Sequence, residues 1–170
     1  MRRSRLCSPP RPPERVGPEL FRAARPLLVE GDTRCYCSIC RKTAGGGGYA
    51  INLSADAATL KIHGEAKPSV YRADICDEDG TCERSPAERT FCPRCGTALW
   101  LYDPRWPELL HPFASAIDSD LPPAPERTHL MLRFKPSWVE PDIRPGDRAH
   151  DLYPEEAIED WHRRHGLWVE

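Results

Sequence analysis

From Arg34 onward the chain reads as short runs of apolar and polar side chains: YAINL at 49–53, TLKIH at 59–63, SVYRA at 69–73, ALWLY at 98–102 and HLMLRF at 129–134. Each run is strand-length and rich in β-branched or aromatic residues, which predicts strands with one packed face. The segments between them carry the four glycines 45–48, then Gly64, Gly80, Gly96 and the Pro-rich LPPAPE at 121–126, all turn and loop signals. The pattern changes near the end. There Pro154 can take a first-turn position, EEAIEDWHRRH places acids early and bases late, and Gly166 can stop a helix. Ala157, Ile158, Trp161 and His165 fall on one face of that helix, which should dock on the sheet. The expectation is a mainly β domain with a C-terminal helix.

Composition narrows the function classes. With 170 residues there is room for one ordinary domain, with or without a tail. No apolar run approaches the ~18 residues a bilayer-crossing helix needs. Residues 1–30 hold six Pro and seven Arg against three Glu, with Leu27, Leu28 and Val29 as their one apolar group. That stretch buries too little to offset its ordering entropy and is expected to be a disordered arm. Pro and Arg also occupy the place of a secretory leader's apolar stretch, so a cytoplasmic protein is expected. The rest of the chain carries 17 basic and 23 acidic side chains, a poor surface for nucleic acid. The domain reading is an arm over 1–30, a zinc domain over 31–145 and a helical extension over 146–170.

Eight Cys against two Met make the thiols the first chemistry to explain. In a reducing compartment their clustering points to metal or redox chemistry rather than disulfides. Cys35-Tyr-Cys37-Ser-Ile-Cys40 packs three sulfurs into six residues. In extended backbone Cys35 and Cys37 project to the same side, and Cys40 can close back to form a knuckle. Three thiolates around Zn²⁺ leave a net charge of −1 and one open tetrahedral position, suited to a sulfur ligand from outside. The second cluster is Phe91-Cys92-Pro-Arg-Cys95-Gly96, half of a metal site, with Gly96 permitting a positive φ. A redox pair at Cys92 and Cys95 and a single structural four-cysteine site are the alternatives.

These segments carry a family resemblance. CYCSICRKTAGG at 35–46, RTFCPRCGTALW at 89–100, SAIDSDLP at 115–122 and HLMLRFKPSW at 129–138 resemble the GFA family, the glutathione-dependent formaldehyde-activating enzymes or centromere-protein-V/GFA domain. The resemblance covers about residues 34–140. It implies a β-tent type fold of two packed small antiparallel sheets with zinc knuckles. It further implies a catalytic zinc on Cys35, Cys37 and Cys40, a structural zinc with Cys92 and Cys95 as half its ligands, and carbon–sulfur lyase activity joining glutathione and formaldehyde. The family's other half-site, a C-x-C-G some 20 residues before the first cluster, is missing: that stretch reads GPELFRAARPLL. The second zinc site is therefore incomplete, or completed by Cys76 and Cys82 from DICDEDGTCE, or by Cys7.

Arg41 and Lys42 can offer charge to a carboxylate-bearing thiol, or be a solvated pair. Gly45 and Gly46 can let a substrate backbone approach, or form a surface turn. Of six scattered histidines, His129 lies in a shared segment and is a weak candidate for a ligand or proton carrier. Asp118 reads as a turn residue, and the five Trp as core and sheet packing. The expected partners are a small thiol such as glutathione and a small aldehyde. The rival reading is a non-catalytic, zinc-stabilised interaction module.

Overall fold

The computed structural model describes residues 32–62, 67–118 and 120–168. The arm expected over 1–30, with Cys7, lies outside the described residues. In chain order the elements are β1 (Thr33–Cys35), α1 (Ser38–Thr43), β2 (Ala50–Asn52), β3 (Ala55–Asp56), β4 (Ser69–Cys76) and β5 (Cys82–Phe91). There follow β6 (Ala98–Tyr102), β7 (Leu109–Pro112), β8 (Thr128–Leu130), β9 (Arg148–Ala149) and α2 (Ile158–Arg164). The chain is mainly β, as the alternation predicts, and its strands form two sheets.

The first sheet has the order β2-β1-β8-β9 and the second β3-β7-β6-β5-β4. The second is antiparallel throughout. In the first, β1 pairs antiparallel with β2 but parallel with β8, and β9 adds parallel to β8. The two antiparallel-rich sheets of the expected fold are thus present, and parallel pairing is confined to β1–β8 and β8–β9, where β1 and β8 are joined by a crossover through the entire second sheet. A bridge between Asn52 and Phe113 links the two sheets. Between them Cys35, Cys40, Ala50, Phe113 and Leu130 are buried together, with Ala98, Leu101 and Met131 packed against them. Adjacent strand residues face opposite ways, so Trp100 turns from Leu101 to the far side and packs with Ala55 and Leu110.

Several predicted elements shift for local reasons. TLKI, the described part of TLKIH, is not a strand. Asp56 caps a 3-10 turn over Ala57–Thr59, accepting from the Ala58 N–H at 2.9 Å, while the Thr59 hydroxyl donates to the Asp56 carbonyl at 2.7 Å. HLMLRF is a strand only to Leu130: Met131 takes a left-handed φ of 62° and Leu132–Phe134 coil into a 3-10 turn. The terminal helix begins at Ile158 rather than Pro154. Gly166 ends it at φ 67°, with Leu167 N–H bonded to the His162 carbonyl and Gly166 N–H to that of Arg163.

Of its predicted apolar face, Trp161 is buried, Ile158 and His165 are half-buried and Ala157 is exposed, while fully buried His162 joins in. The helix is anchored by Glu126, which accepts from Trp161 Nε1 at 2.9 Å and pairs with Arg164 and Arg148. Burial pushes the Glu126 carboxyl up, but those donors outweigh it and hold it at about 2. The Trp expectation holds for Trp100 and Trp161. Trp106 and Trp138 are exposed, and Trp106 is covered instead by the Arg105 guanidinium.

Candidate metal centre

The first cysteine cluster is built where a strand turns into a helix. Cys35 closes β1, flanked in register by Ala50 on β2 and Leu130 on β8. Tyr36 extends the strand by one bond, its N–H reaching the Leu130 carbonyl at 3.1 Å. Its side chain points away from the sulfurs and is fully buried, its hydroxyl 2.9 Å from His129 Nδ1. Burial, then the charge of Arg34, lowers the His129 pKa, so the ring is neutral. With its proton on Nε2, toward Asp147 Oδ2 at 3.6 Å, Nδ1 is free to accept from Tyr36. The His129 ring therefore braces the back of the cysteine strand and faces away from the sulfurs.

Cys37 is the N-cap of α1, its sulfur accepting from the Cys40 N–H at 3.3 Å. That turn brings Cys40 back over Cys35. The three sulfurs lie within 4.8 Å of one another, and among the described residues no fourth ligand atom joins them. Thiolates placed tetrahedrally at about 2.3 Å from zinc are about 3.8 Å apart, so a small closure suffices. Cys35 and Cys40 are buried, while Cys37 is half-buried and marks the open side.

The trio titrates as a unit. Hydrogen bonds from Cys35 and Cys40, then the N–H groups of Cys40 and Ile39, pull Cys37 down toward the thiolate. Cys35 is pushed up by donating to Cys37, by its bond to Cys40 and by burial. At Cys40 the contact with Cys35 pulls downward, but the bond to Cys37 and burial prevail and raise it. The thiolate form is thus most favoured at Cys37, and a divalent ion would displace the protons that the trio retains. A residue that sequence reasoning missed lies within electrostatic reach of the trio: exposed Tyr153, whose phenol is raised by partial burial and then by the charges of Cys35, Cys37 and Cys40. It follows β9 by four residues, and no motif signals it.

The second cluster stands apart. Cys92 and Cys95 form the turn between β5 and β6, closed by Gly96 N–H to the Cys92 carbonyl at 2.8 Å, with Gly96 at φ 74°. Cys92 is half-buried and Cys95 exposed, its sulfur 3.0 Å from the Thr97 hydroxyl, which lowers its pKa most. Among the described residues no third ligand stands with them. Completion by Cys76 and Cys82 is corrected: these two are joined in a disulfide at the tip of the β4–β5 hairpin. The knuckle follows the opposite end, where Phe91 pairs with Ser69, roughly 30 Å away at ~3.4 Å per residue.

Arg41 is half-buried on α1, with Nε lacking a partner, and Lys42 is exposed beside it. The two glycines differ. A Cβ on Gly45 would lie 2.0 Å from the Tyr49 carbonyl oxygen, whereas one on Gly46 would meet nothing within 4 Å. Gly45 thus serves close backbone packing, and Gly46 is the one a ligand can approach. Gly45→Ala is expected to lower the melting temperature by several degrees, for a cost of about 1–3 kcal/mol. Gly46→Ala should leave it within a degree; equal shifts in thermal denaturation would contradict this geometry. Asp118 is an exposed loop residue, in keeping with the turn reading.

Comparison with known proteins bears on the same residues. The sequence model of the family described as glutathione-dependent formaldehyde-activating enzyme matches residues 24–131, which include both cysteine clusters and strands β1 to β8. A curated relative from Halomonas elongata, provisionally named a glutathione-dependent formaldehyde-activating enzyme, is 65% identical over 134 residues, covering 79% of this chain and 82% of its own length. With the family match spanning well over half of the sequence and so close a relative, the chain belongs to the glutathione-dependent formaldehyde-activating enzyme family.

Proposed function

We propose that the protein is a zinc-dependent carbon–sulfur lyase and synthase acting on the adduct of a small thiol and a small aldehyde. Glutathione and formaldehyde are the pair that the family and its relative are named for. The observation that carries this reading is the convergence of three sulfurs, all within 4.8 Å, at a half-open corner of the core. Cys35, Cys37 and Cys40 would hold Zn²⁺, which when bound supplies the charge that favours the thiolate form of an incoming thiol.

The chain's own residues place the reactants. Phe113, Leu130 and Ala50 pack against the trio and exclude water from its inner side. Arg41 and Lys42 present positive charge to a carboxylate of the thiol, and the open space at Gly46 admits its backbone. In synthesis the sulfur electron pair forms the bond to the carbonyl carbon and the carbonyl oxygen takes up a proton; lysis reverses both. Tyr153, a protonated phenol that feels the charge of the trio, would give and retrieve that proton. Holding both reactants turns a bimolecular encounter into a local one. Cys92 and Cys95 would supply two sulfurs to a separate structural zinc. We place this chemistry in the cytoplasm, whose reducing thiol pool keeps Cys35, Cys37 and Cys40 free for a metal, the Cys76–Cys82 disulfide standing as an exception to it; among the described residues no helix is long and apolar enough to cross a membrane.

The test mixes ¹³C-labelled formaldehyde with glutathione and follows adduct formation with and without zinc-loaded protein. Catalytic amounts should shorten the approach to equilibrium at least tenfold. A rate equal to that in buffer, from protein that holds its zinc, would leave a zinc-stabilised interaction module instead.

A further inference from the structure

Arg89 is a charge without an explanation in the scheme above. It lies on β5, is 8% exposed, and its Nε and Nη1 have no hydrogen-bond partner. Burying an unpaired guanidinium costs several kcal/mol, so such groups are paired or await an anion. The contrast within this protein is Arg127, equally buried but bonded to both Asp142 and Asp147. Among the described residues no carboxylate pairs with Arg89.

The strand register says where it points. Arg89 stands directly opposite Leu101 on β6, and cross-strand partners share a face. Leu101 packs against the cluster that contains Cys35 and Cys40. Arg89 accordingly rises from the second sheet toward the sulfurs of the first, and its positive charge acts on Cys40.

We infer that Arg89 is the counter-charge of the sulfur centre, a positioning residue that lets the site take its fourth ligand as a thiolate. Three thiolates and a divalent ion carry −1, and a fourth thiolate makes −2. Walls such as Phe113, Leu130 and Ala50 cannot solvate that charge, and Arg89 is the buried cation beside it. The assignment rests on the reading of Cys35, Cys37 and Cys40 as a metal centre, and concerns how that centre selects an anionic sulfur ligand.

The test loads wild type, Arg89→Met, Arg89→Gln and Arg89→Lys with Co²⁺ and reads the sulfur-to-cobalt absorption. Each is then titrated with glutathione and with 2-mercaptoethanol, a thiol without carboxylates. Loss of the charge in the Met and Gln variants should weaken affinity for cobalt and for both thiols by about tenfold, the scale of lost support around a metal site. The Lys variant should recover most of it. A drop for glutathione alone would make Arg89 a carboxylate holder and overturn the inference, as would unchanged affinities in a Met variant that melts higher than wild type. The Gln variant keeps the question answerable should Met fail to fold. Wild type that takes up no cobalt overturns the metal centre itself, an outcome visible before any variant is made.

Discussion

Cys37→Ser protein is expected to fold, to retain α1 and to lose its metal. Cys37 has two separable jobs: its sulfur is one of the three converging donors, and it caps the helix by accepting from the Cys40 N–H. Serine is a better N-cap than cysteine, because its oxygen accepts a backbone N–H more strongly. It is a far poorer ligand for a soft, thiolate-rich site, since its hydroxyl does not ionise near neutral pH. The substitution therefore separates ligand from scaffold. Metal affinity should fall on the order of 100-fold or more, zinc should be absent from the trio after dialysis, and adduct formation should revert to the rate in buffer. Circular dichroism and melting of the metal-free protein should match metal-free wild type. Turnover retained in a variant shown to lack the metal would dismiss zinc-centred chemistry altogether.

The largest expected loss of stability comes from Arg127→Met. Arg127 lies just before β8 and ties that strand to the loop carrying Asp142 and Asp147: Nε bonds Asp147 at 3.1 Å, Nη1 bonds Asp142 at 3.1 Å, and Nη2 closes on the second Asp147 oxygen. The Asp147 side chain is 8% exposed, so removing the guanidinium strands a covered carboxylate. Breaking a buried pair costs about 3–5 kcal/mol; this one lies near the surface, so we expect about 3. Arg127 holds the Asp147 carboxyl well below the usual carboxylate range. A depressed folded pKa adds stability that is complete above the unfolded value of about 3.9 and is lost as pH falls through the folded one. The variant should accordingly show a flatter acid limb as well as a lower midpoint in urea. An unchanged midpoint would mean that the pair contributes nothing, as many exposed pairs do.

What could be read in advance follows from which features are local. The C-x-C-x-x-C spacing specifies a strand running into a helical knuckle, and Cys35, Cys37 and Cys40 converge as expected because period-two backbone and a single turn determine their geometry. Gly96 likewise takes the positive φ foreseen for its turn. TLKIH has the composition of a strand, but Asp56 upstream captures Thr59 in a cap, a competition that apolar periodicity cannot register. HLMLRF breaks at Met131, whose backbone answers to the residue 150–152 segment pairing beside it, with Met131 N–H bonded to the Leu152 carbonyl. Arg89 reaches the centre only through tertiary register, from the facing sheet, and Tyr153 comes within its electrostatic reach from beyond β9. Cys76 and Cys82 lie close to Cys92 in sequence, whereas the hairpin carries them to its far end.

The parallel pairing of β1 with β8 has a consequence for how the protein is made. Synthesis releases the three cysteines early, yet the wall supplied by Leu130 follows 90 to 95 residues later. Until that strand leaves the ribosome, β1 can pair only with β2, and the sulfurs hang on a hairpin too small to hold its own shape. Nascent chains stalled before residue 128 should therefore expose reactive thiols to alkylating reagents, and enclosure of the sulfur trio becomes one of the last events of maturation, when distant halves of the polypeptide finally meet.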